Sequence, residues 1–227
     1  MSATFKALSA LLCYPDEGLQ AAMAEIRGLI AAEGRVAPPV LAELEDFCSF
    51  VEQTDLIDLQ EHYVALFDKS RLLSLHLFEH VHGESRDRGQ ALVDLAALYE
   101  QGGLERINNE LPDYLPLFLE YLSTRPLDEA RLLLAETLHI LAALEERLRA
   151  RGSGYASLLR AIRSAAGDQS IHTATTVHLN TELPAELDAQ WAEPPVIFDP
   201  DATVCESGGA TVTSVPLSAV PRRARQS

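Results

Sequence analysis

The amino-acid sequence predicts an all-α fold: a single helical bundle followed by an irregular C-terminal tail. Apolar residues recur at spacings of three and four, and no stretch sustains the apolar–polar alternation of a half-buried strand. Proline and glycine divide these apolar runs into helices of ordinary length. After Gly167 the helical spacing stops, and proline, serine and threonine become frequent. We therefore predict a helical domain over residues 1–167 and a mostly irregular tail over residues 168–227.

The charge balance and the cysteines limit the kind of partner and chemistry. The chain has 34 acidic and 18 basic residues, so its formal net charge is −16. This balance argues against nucleic acid, which requires clustered Lys and Arg, and it favours basic partners. The three cysteines, Cys13, Cys48 and Cys205, form no Cys-x-x-Cys pair, so neither a disulfide framework nor a cysteine-ligated zinc is indicated. We expect Cys13 and Cys48 to be small core side chains.

The distribution of apolar residues also predicts where the protein works. No long apolar run follows Lys6, so we expect no signal peptide. No uncharged stretch approaches the roughly 18 apolar residues that a membrane-spanning helix needs. The sequence therefore predicts a cytoplasmic protein without direct membrane insertion.

Four amphipathic helices are predicted in the first part of the chain. Asp16 is the expected N-cap of the second helix, and Gly34 is its expected stop. The Pro-Pro pair at 38–39 opens the third helix, and Thr54 or Asp55 caps the fourth. The predicted apolar stripes are, in order, Phe5, Leu8, Leu11 and Leu12; Leu19, Met23, Ile26, Leu29 and Ile30; Leu41, Leu44, Phe47, Cys48 and Val51; and Leu59, Tyr63, Leu66 and Phe67.

The segment over residues 74–123 differs from an ordinary core-forming region. Its first sixteen residues, Ser74–Gly89, contain three histidines, three acids and two arginines. An apolar helical pattern that includes Tyr99 follows and is stopped by the glycines at 102–103. A polar, proline-bounded turn at 109–116 then leads into a second apolar helix. A purely structural connection does not need so many charged and turn residues, so we expect this segment to bind something.

Two further helices complete the predicted bundle. The longest begins at Leu127 and carries a leucine stripe to Leu148. Gly152-Ser-Gly154 separates it from a last helix that runs from Tyr155 to about Ala166. The buried stripe of the longest helix is expected to be Leu134, Leu138, Leu141, Leu144 and Leu148. Each fully buried leucine contributes about 1.5–3 kcal/mol, so such stripes can support a stable core.

One pattern in the segment suggests a metal. Residues His76 to His80, with Glu79 between them, match the H-x-x-E-H arrangement of inverted zinc peptidases. On a helix the two histidines would share one face, with the glutamate placed to activate a metal-bound water. Gly83 follows closely and leaves little helix to support such a site, and short patterns also arise by chance. A zinc metallohydrolase is therefore the alternative hypothesis.

Other catalytic scaffolds are absent from the sequence. It contains no G-x-S-x-G elbow, phosphate-binding loop or dinucleotide fingerprint. The preferred hypothesis is therefore a protein that is not an enzyme, with no catalytic residues, no metal and no cofactor of its own.

Three stretches resemble a known family. They are Tyr-Val-Ala-Leu-Phe-Asp at 63–68, the run over residues 74–95, and Glu-Leu-Pro-Asp-Tyr-Leu-Pro at 110–116. Together they are similar to the nitrate reductase molybdenum cofactor assembly chaperones of the NarJ/NarW type, also called the delta subunit. This type is a branch of the all-helical TorD/DmsD redox-enzyme maturation chaperones. The similarity covers roughly residues 5–166 and implies a helical bundle of the TorD/DmsD-like type.

The resemblance also implies a function and partners. Such a chaperone binds the N-terminal segment of the apo nitrate reductase catalytic (alpha) subunit. It supports insertion of the molybdenum cofactor and assembly before the enzyme docks at the membrane. Molybdenum cofactor biosynthesis proteins are further partners that the resemblance suggests. A basic, apolar-faced leader helix in a groove between bundle helices would agree with the acidic composition.

The family's peptide-binding motif can be placed on this chain. A Glu-x-Pro-Asp-His type of motif, in a loop between two helices, falls on Glu110, Pro112 and Asp113, with Tyr114 at the position of the histidine. This departure removes support for any nucleotide-related role of that histidine. The residues that the resemblance implies for client-peptide binding are Tyr63, Phe67, His82, Glu84, Arg86, Glu110, Pro112, Asp113 and Tyr114.

Structural alternatives remain open for several of these residues. The dipeptide at 112–113 also suits a simple helix start, where the Asp113 carboxylate would be stabilised by the helix dipole. Arg86 and Arg88 suit internal ion pairs with Asp87 or Glu84, as well as a role in binding.

Overall fold

The computed structural model describes residues 2–82, 86–104 and 110–172, and over these residues the fold is all-α, as predicted. The described helices are α1 (Ala3–Leu12), α2 (Glu17–Ala21), α3 (Met23–Glu33), α4 (Pro38–Gln53), α5 (Leu56–Phe67), α6 (Leu77–Val81), α7 (Arg86–Gln101), α8 (Leu115–Thr124), α9 (Leu127–Ala135), α10 (Leu138–Ala150) and α11 (Tyr155–Ala166). Short 3-10 helices cover Arg71–Leu73 and Gln169–His172. All of these elements belong to one compact unit.

Local sequence signals place several helix ends where they were expected. The Asp16 carboxylate accepts a hydrogen bond from the Leu19 amide at 2.7 Å and caps α2. Of the two candidate caps for α5, Asp55 has this role, because its side chain accepts from the Ile57 amide at 2.9 Å. Gly34 ends α3 with a φ of 58°, in the left-handed region that favours glycine.

Two predicted helices are each interrupted. The predicted second helix is the pair α2 and α3, which meet at Ala22, and the predicted longest helix is the pair α9 and α10. At the second break the Thr137 hydroxyl donates to the Leu134 carbonyl at 2.9 Å, a local bond that competes with helix continuation. Neither break is marked by proline or glycine, so the spacing pattern alone could not show it. Leu29 was predicted to lie in the apolar stripe of the second helix, but it is 39% exposed.

The core lies between the first, eighth, tenth and eleventh helices. Helix α1 packs most extensively against α8, and α10 packs against α11, which also contacts α4 and α1. These contacts bury each helix's apolar stripe against a neighbour, as expected for a bundle. Cys48 is buried in this core, as predicted, whereas Cys13 is only partly buried. Burial raises the pKa of the Cys48 thiol to about 11, so it behaves as a small apolar side chain.

A carboxylate from α3 holds the start of α1. Glu33 accepts hydrogen bonds from the Ala3 amide at 2.7 Å, the Thr4 hydroxyl at 2.7 Å and the Ser2 hydroxyl at 2.8 Å. Burial alone would raise the pKa of Glu33, but these bonds together lower it to about 2. The cap of α1 is therefore supplied by a residue from the end of another helix.

Helical structure continues to His172, beyond the boundary predicted at residue 167. Ile171 is buried with the core, and Asp168 pairs with Arg163 at 2.8 Å. From residue 173 onward the predicted tail lies outside the described residues. Over the part of the chain that the structure describes, no helix is long and apolar enough to cross a membrane.

Candidate functional site

A small cavity beside α5 contains several of the residues that the sequence singled out. Its volume is about 230 Å³. Its walls come from α5, from the connection after α1, and from two extended stretches around residues 75 and 114. The lining residues are Tyr14, Tyr63, Phe67, Asp68, Ser74, Leu75, His76, Glu110 and Tyr114. Of the residues proposed for peptide binding, the cavity therefore brings together Tyr63, Phe67, Glu110 and Tyr114.

Two tyrosine hydroxyls fix one wall of the cavity. The Tyr63 hydroxyl donates to the Leu12 carbonyl at 3.0 Å and lies 3.2 Å from the Tyr114 hydroxyl. Because Tyr63 has one proton and gives it to Leu12, Tyr114 is the donor between the two hydroxyls. Burial raises the pKa of both tyrosines, that of Tyr114 to about 12, so both hydroxyls stay protonated near neutral pH.

Further aromatic rings support this wall. Tyr14 meets Tyr63 edge to face, with ring centroids 5.6 Å apart. The ring centroid of Phe67 lies 4.8 Å from that of Tyr63. The ring centroid of Tyr155, from α11, lies 5.0 Å from that of Phe67. Such tilted and edge-to-face pairs stabilise the rings beyond their area of burial. The cavity is therefore a largely preformed aromatic surface, anchored to the core through α11.

A short antiparallel pairing joins the two remaining walls. The Leu115 amide donates to the Leu75 carbonyl at 2.9 Å, and the Leu77 amide donates to the Asp113 carbonyl at 3.0 Å. His76 and Tyr114 between them form a backbone bridge, and their rings lie 5.5 Å apart. This pairing brings two of the stretches that resemble the chaperone family, 74–95 and 110–116, to the same edge of the cavity.

Asp113 is the polar centre behind this pairing. Its carboxylate accepts from the Phe78 amide at 3.1 Å and lies 3.1 Å from His76 Nδ1 and 3.8 Å from Arg88. The Phe78 amide is in the first turn of α6, whose own preceding residue, His76, provides no side-chain cap. Asp113 does stabilise a helix start, but that of α6 and not that of the helix which follows it in sequence.

Burial changes the role expected of two motif residues. The Asp113 side chain is 0% exposed, so its carboxylate cannot contact a peptide cation directly in this structure. Pro112 is buried as well, and its carbonyl accepts from the Tyr99 hydroxyl at 2.7 Å. Glu110 is exposed at the rim, and Tyr114 lines the cavity. The motif thus divides into two residues that hold the turn and two that border the cavity.

The other predicted residues lie apart from this cavity. His82 packs edge to face against Phe78, with ring centroids 5.5 Å apart, and Arg86 is exposed at the start of α7. Neither lines the cavity. Arg88 forms internal ion pairs, as in the alternative hypothesis, but its described acids are Glu79 at 3.3 Å and Asp113 at 3.8 Å, where the hypothesis had named Asp87 or Glu84. Glu84 lies outside the described residues.

The H-x-x-E-H pattern does not form a metal site in the described structure. His76 precedes α6 and bonds to Asp113, and His80 Nε2 lies 2.8 Å from the Ser74 carbonyl. Glu79 pairs with Arg88. Among the residues that the structure describes, no group of three His, Cys, Asp or Glu side chains is placed to hold a metal. The zinc-hydrolase alternative therefore has no support from the structure.

Five residues that line the cavity were not among those predicted for peptide binding: Tyr14, Asp68, Ser74, Leu75 and His76. Tyr14 follows α1 outside any helical stripe, so periodicity gave no reason to select it. His76 was considered only as a metal ligand, yet its imidazole is the one held against Asp113. The hydrogen bond to Asp113 raises the pKa of His76, against the opposing effect of burial. An imidazole therefore accompanies the motif aspartate even though Tyr114 occupies the motif's histidine position.

Comparison with known proteins identifies the class to which this fold and site belong. A family model described as nitrate reductase delta subunit matches residues 33–160. The chain is 42% identical over 198 residues to the nitrate reductase molybdenum cofactor assembly chaperone NarJ of Escherichia coli K12, covering 86% of this chain and 84% of that protein. It is 41% identical over 226 residues to NarW of the same organism, a probable chaperone of the same kind. This match covers 97% of this chain and 92% of that protein.

Two further matches are more distant. A NarJ described as a probable assembly chaperone in Bacillus subtilis is 35% identical over 164 residues, covering 71% of this chain and 87% of that protein. A crystal structure of a candidate redox enzyme maturation protein from Archaeoglobus fulgidus aligns with a TM-score of 0.48 at 25% identity, covering 70% of this chain and 89% of that one.

The chain is thus a member of the nitrate reductase delta-subunit family. Within that family it belongs with the NarJ and NarW molybdenum cofactor assembly chaperones, as the resemblance predicted. The expectation that it is not an enzyme agrees with this membership, since the relatives are assembly chaperones and not catalysts.

Proposed function

We propose that this chain binds the N-terminal segment of the apo nitrate reductase catalytic subunit at the cavity beside α5. In this proposal it acts in the cytoplasm, supports molybdenum cofactor insertion, and releases the subunit before membrane docking. The observation that carries the proposal is a preformed aromatic cavity with carboxylates at its rim, built from the stretches that resemble the assembly chaperones. The relatives are nitrate reductase molybdenum cofactor assembly chaperones, and nitrate reductase is therefore the proposed client.

The chemistry of the cavity favours an amphipathic, basic peptide. Tyr63 and Phe67 are largely buried in the cavity wall, and half-buried Tyr114 completes an aromatic lining that can receive an apolar side chain from a helix. Asp68 and Glu110 are exposed at the rim and can attract Lys or Arg from the polar side of that helix. The overall net charge of −16 increases the encounter rate with such a peptide at low salt.

The residues proposed from the resemblance take different roles. Tyr63, Phe67, Glu110 and Tyr114 are proposed contacts inside the cavity. Pro112 and Asp113 are positioning residues, because both are buried and both hold the turn that carries Glu110 and Tyr114. The proposed contacts outside the cavity, for the flank of the peptide, are His82, Glu84 and Arg86. Molybdenum cofactor biosynthesis proteins are proposed as additional partners during cofactor insertion.

Charge reversal at the rim tests peptide binding directly. A synthetic peptide with the sequence of the catalytic subunit's N-terminus is titrated calorimetrically into wild type, Glu110→Lys and Glu146→Lys. Glu146 is an exposed acid on α10, so its change matches the loss of global negative charge. We expect Glu110→Lys to weaken binding about three- to ten-fold more than Glu146→Lys at low salt, with the difference shrinking at high salt. Equal effects of the two changes would contradict a contact at Glu110.

A second experiment tests the cellular role. Deleting the gene should leave nitrate reductase polypeptides present but inactive and deficient in molybdenum. The measurement is the molybdenum content of reductase purified from cells grown on nitrate, together with identification of the proteins that co-purify with this chain. Normal molybdenum content, with no paralogue expressed, would refute the proposed role.

A further inference from the structure

A second cavity lies against α5 beside the first one. Its volume is about 530 Å³, and its walls include Tyr14, Ile57, Glu61, Val64 and Lys69. Tyr14 lines both cavities, so one aromatic ring borders each of them. None of the residues that line this second cavity was predicted for peptide binding from the sequence patterns or the family motif.

The geometry of α5 places the two cavities side by side. Ile57, Glu61 and Val64 follow one another at helical spacing and form one stripe of α5. Tyr63 and Phe67, which line the first cavity, form the neighbouring stripe. Successive residues of an α-helix are about 100° apart, and the helix is about 10 Å across, so the two stripes are separated by about 8 Å. The Tyr14 ring packs edge-on against Tyr63 near this boundary.

The second cavity presents apolar surface to the outside. Ile57 is 66% exposed and Tyr14 is 49% exposed, and both line this cavity, so they form adjoining apolar surface. Exposed Glu61 and Lys69 also line the second cavity, while the exposed acids Asp68 and Glu110 line the first. Apolar surface with a mainly acidic border continues from one cavity into the other across Tyr14.

We propose that the two cavities form one groove, which takes two apolar side chains from the same face of a single basic peptide helix. The inference rests on the proposed function, since the occupant is the same N-terminal segment of the catalytic subunit. Side chains at positions i and i+4 of a helix lie on one face with Cβ atoms about 5–6 Å apart, and apolar side chains that diverge from these positions can reach both stripes. One such anchor enters the Tyr63 and Phe67 cavity, and the other enters the cavity of Ile57 and Val64.

Tyr14 has a specific part in this groove. Its ring packs between the two anchors and sets their spacing, so it selects peptides that carry apolar residues one helical turn apart. The ring carries this role and not the hydroxyl. Tyr14→Phe should therefore bind the peptide with wild-type affinity, whereas Tyr14→Ala should weaken binding and reduce the preference for the one-turn spacing.

The decisive experiment uses the full-length protein and the same synthetic N-terminal peptide. Ile57→Ser is compared with Leu132→Ser, a matched control on α9 whose side chain is 73% exposed. We expect Ile57→Ser to weaken binding about three- to ten-fold and Leu132→Ser to leave it unchanged. Both positions are exposed, and melting curves should show that both variants fold like wild type.

A double-mutant cycle then assigns the anchors. Each apolar residue of the peptide is replaced by alanine in turn, and every peptide is titrated into wild type and Ile57→Ser. One replacement should weaken binding to wild type but have little further effect in Ile57→Ser. A replacement one turn away should weaken binding to both proteins equally.

The outcomes separate this inference from the function on which it rests. If the wild-type protein does not bind the peptide at all, the proposed function fails and the groove fails with it. If wild type binds and Glu110→Lys weakens binding, but Ile57→Ser and Tyr14→Ala both bind like wild type, the two-anchor groove is refuted while the proposed function stands.

Discussion

Helices α7 and α8 are stabilised in different ways. Helix α8 has ten residues and buries six of them, including Phe118 and Leu119, against α1. Helix α7 has sixteen residues, all of them described, and buries Tyr99 alone. In the segment that borders the candidate site, residues 74–82 and 110–114, Leu75 and Leu77 are buried with the core, and hydrogen bonds and ion pairs around Asp113 join the two parts.

This difference predicts that the segment around Asp113 can change conformation while the helical core stays packed. Apolar burial is non-directional and collective, so the core around α8 yields only when many contacts break together. The junction around Asp113 depends on a few hydrogen bonds and ion pairs, and each of these can be lost alone. A region of that kind can rearrange around a client while the core remains packed.

The largest expected effect comes from removing the Asp113 carboxylate. Asp113→Ala leaves His76, Arg88 and the Phe78 amide without their buried acceptor, at a cost of about 3–5 kcal/mol. Urea unfolding measures the total loss, and hydrogen exchange with mass spectrometry locates it. We expect faster exchange mainly over residues 74–82.

Leu119→Ala is the control for that prediction. It removes a fully buried side chain from α8 and should cost about 2–5 kcal/mol, with faster exchange spread through the helical unit. If Asp113→Ala also accelerates exchange uniformly, the proposed difference between the two regions is wrong.

Glu33 tests whether a polar contact can also be important in the core region. Glu33→Ala removes the cap of α1 and should cost about 1–2 kcal/mol. Because the pKa of Glu33 is lowered from 4.5 to about 2, its stabilisation is complete above pH 4.5 and is lost as the pH falls towards 2. Melting curves of wild type and variant should therefore converge in that range. A constant difference across it would contradict the assigned role of the carboxylate.

His76 should give a smaller effect with the opposite dependence on pH. Its folded pKa lies above the ordinary value of 6.5, so its pairing with Asp113 stabilises fully below that pH and is lost as the pH rises through the folded pKa. Wild type should be more stable than His76→Gln at pH 6, and this difference in the free energy of unfolding should shrink by about 1 kcal/mol when the pH is raised above neutral. His139→Gln, at an exposed position on α10, is the control and should follow wild type.

The smallest expected effect is that of the tyrosine hydroxyl pair. Tyr114→Phe removes the donor to Tyr63 but leaves the Tyr63 bond to Leu12 in place. We expect a loss below about 1 kcal/mol, measured by thermal melting followed by circular dichroism. A larger loss would mean that the cavity wall depends on this bond and not on the packing of the rings.

Much of the fold could be predicted because its signals are local. Helical spacing, the caps at Asp16 and Asp55, and the stop at Gly34 each depend on residues close in sequence. The breaks at Ala22 and Thr137 were missed because neither residue is a helix breaker. Periodicity identifies which residues share a face, but it does not show where a helix changes direction.

The site was less predictable, because its geometry depends on contacts between distant residues. The Asp113 carboxylate caps a helix 35 positions earlier in the chain, a relation that no local pattern reports. Family resemblance pointed to the turn at 110–116 but could not distinguish exposed Glu110 from buried Asp113. Tyr14 follows α1 in the sequence, and it reaches the site only because the end of α1 lies near Tyr63 of α5.

The aromatic cavity has a practical consequence for measurement. The chain contains six tyrosines and one tryptophan, Trp191. Tyr14, Tyr63 and Tyr114 line the cavity, and Tyr155 packs edge to face against Phe67. In a Trp191→Phe background, ultraviolet emission would come from tyrosines alone, and half of them border the cavity. Such a variant is an unlabelled optical reporter, whose emission intensity follows occupancy of the cavity during rapid mixing and gives association and release rates directly.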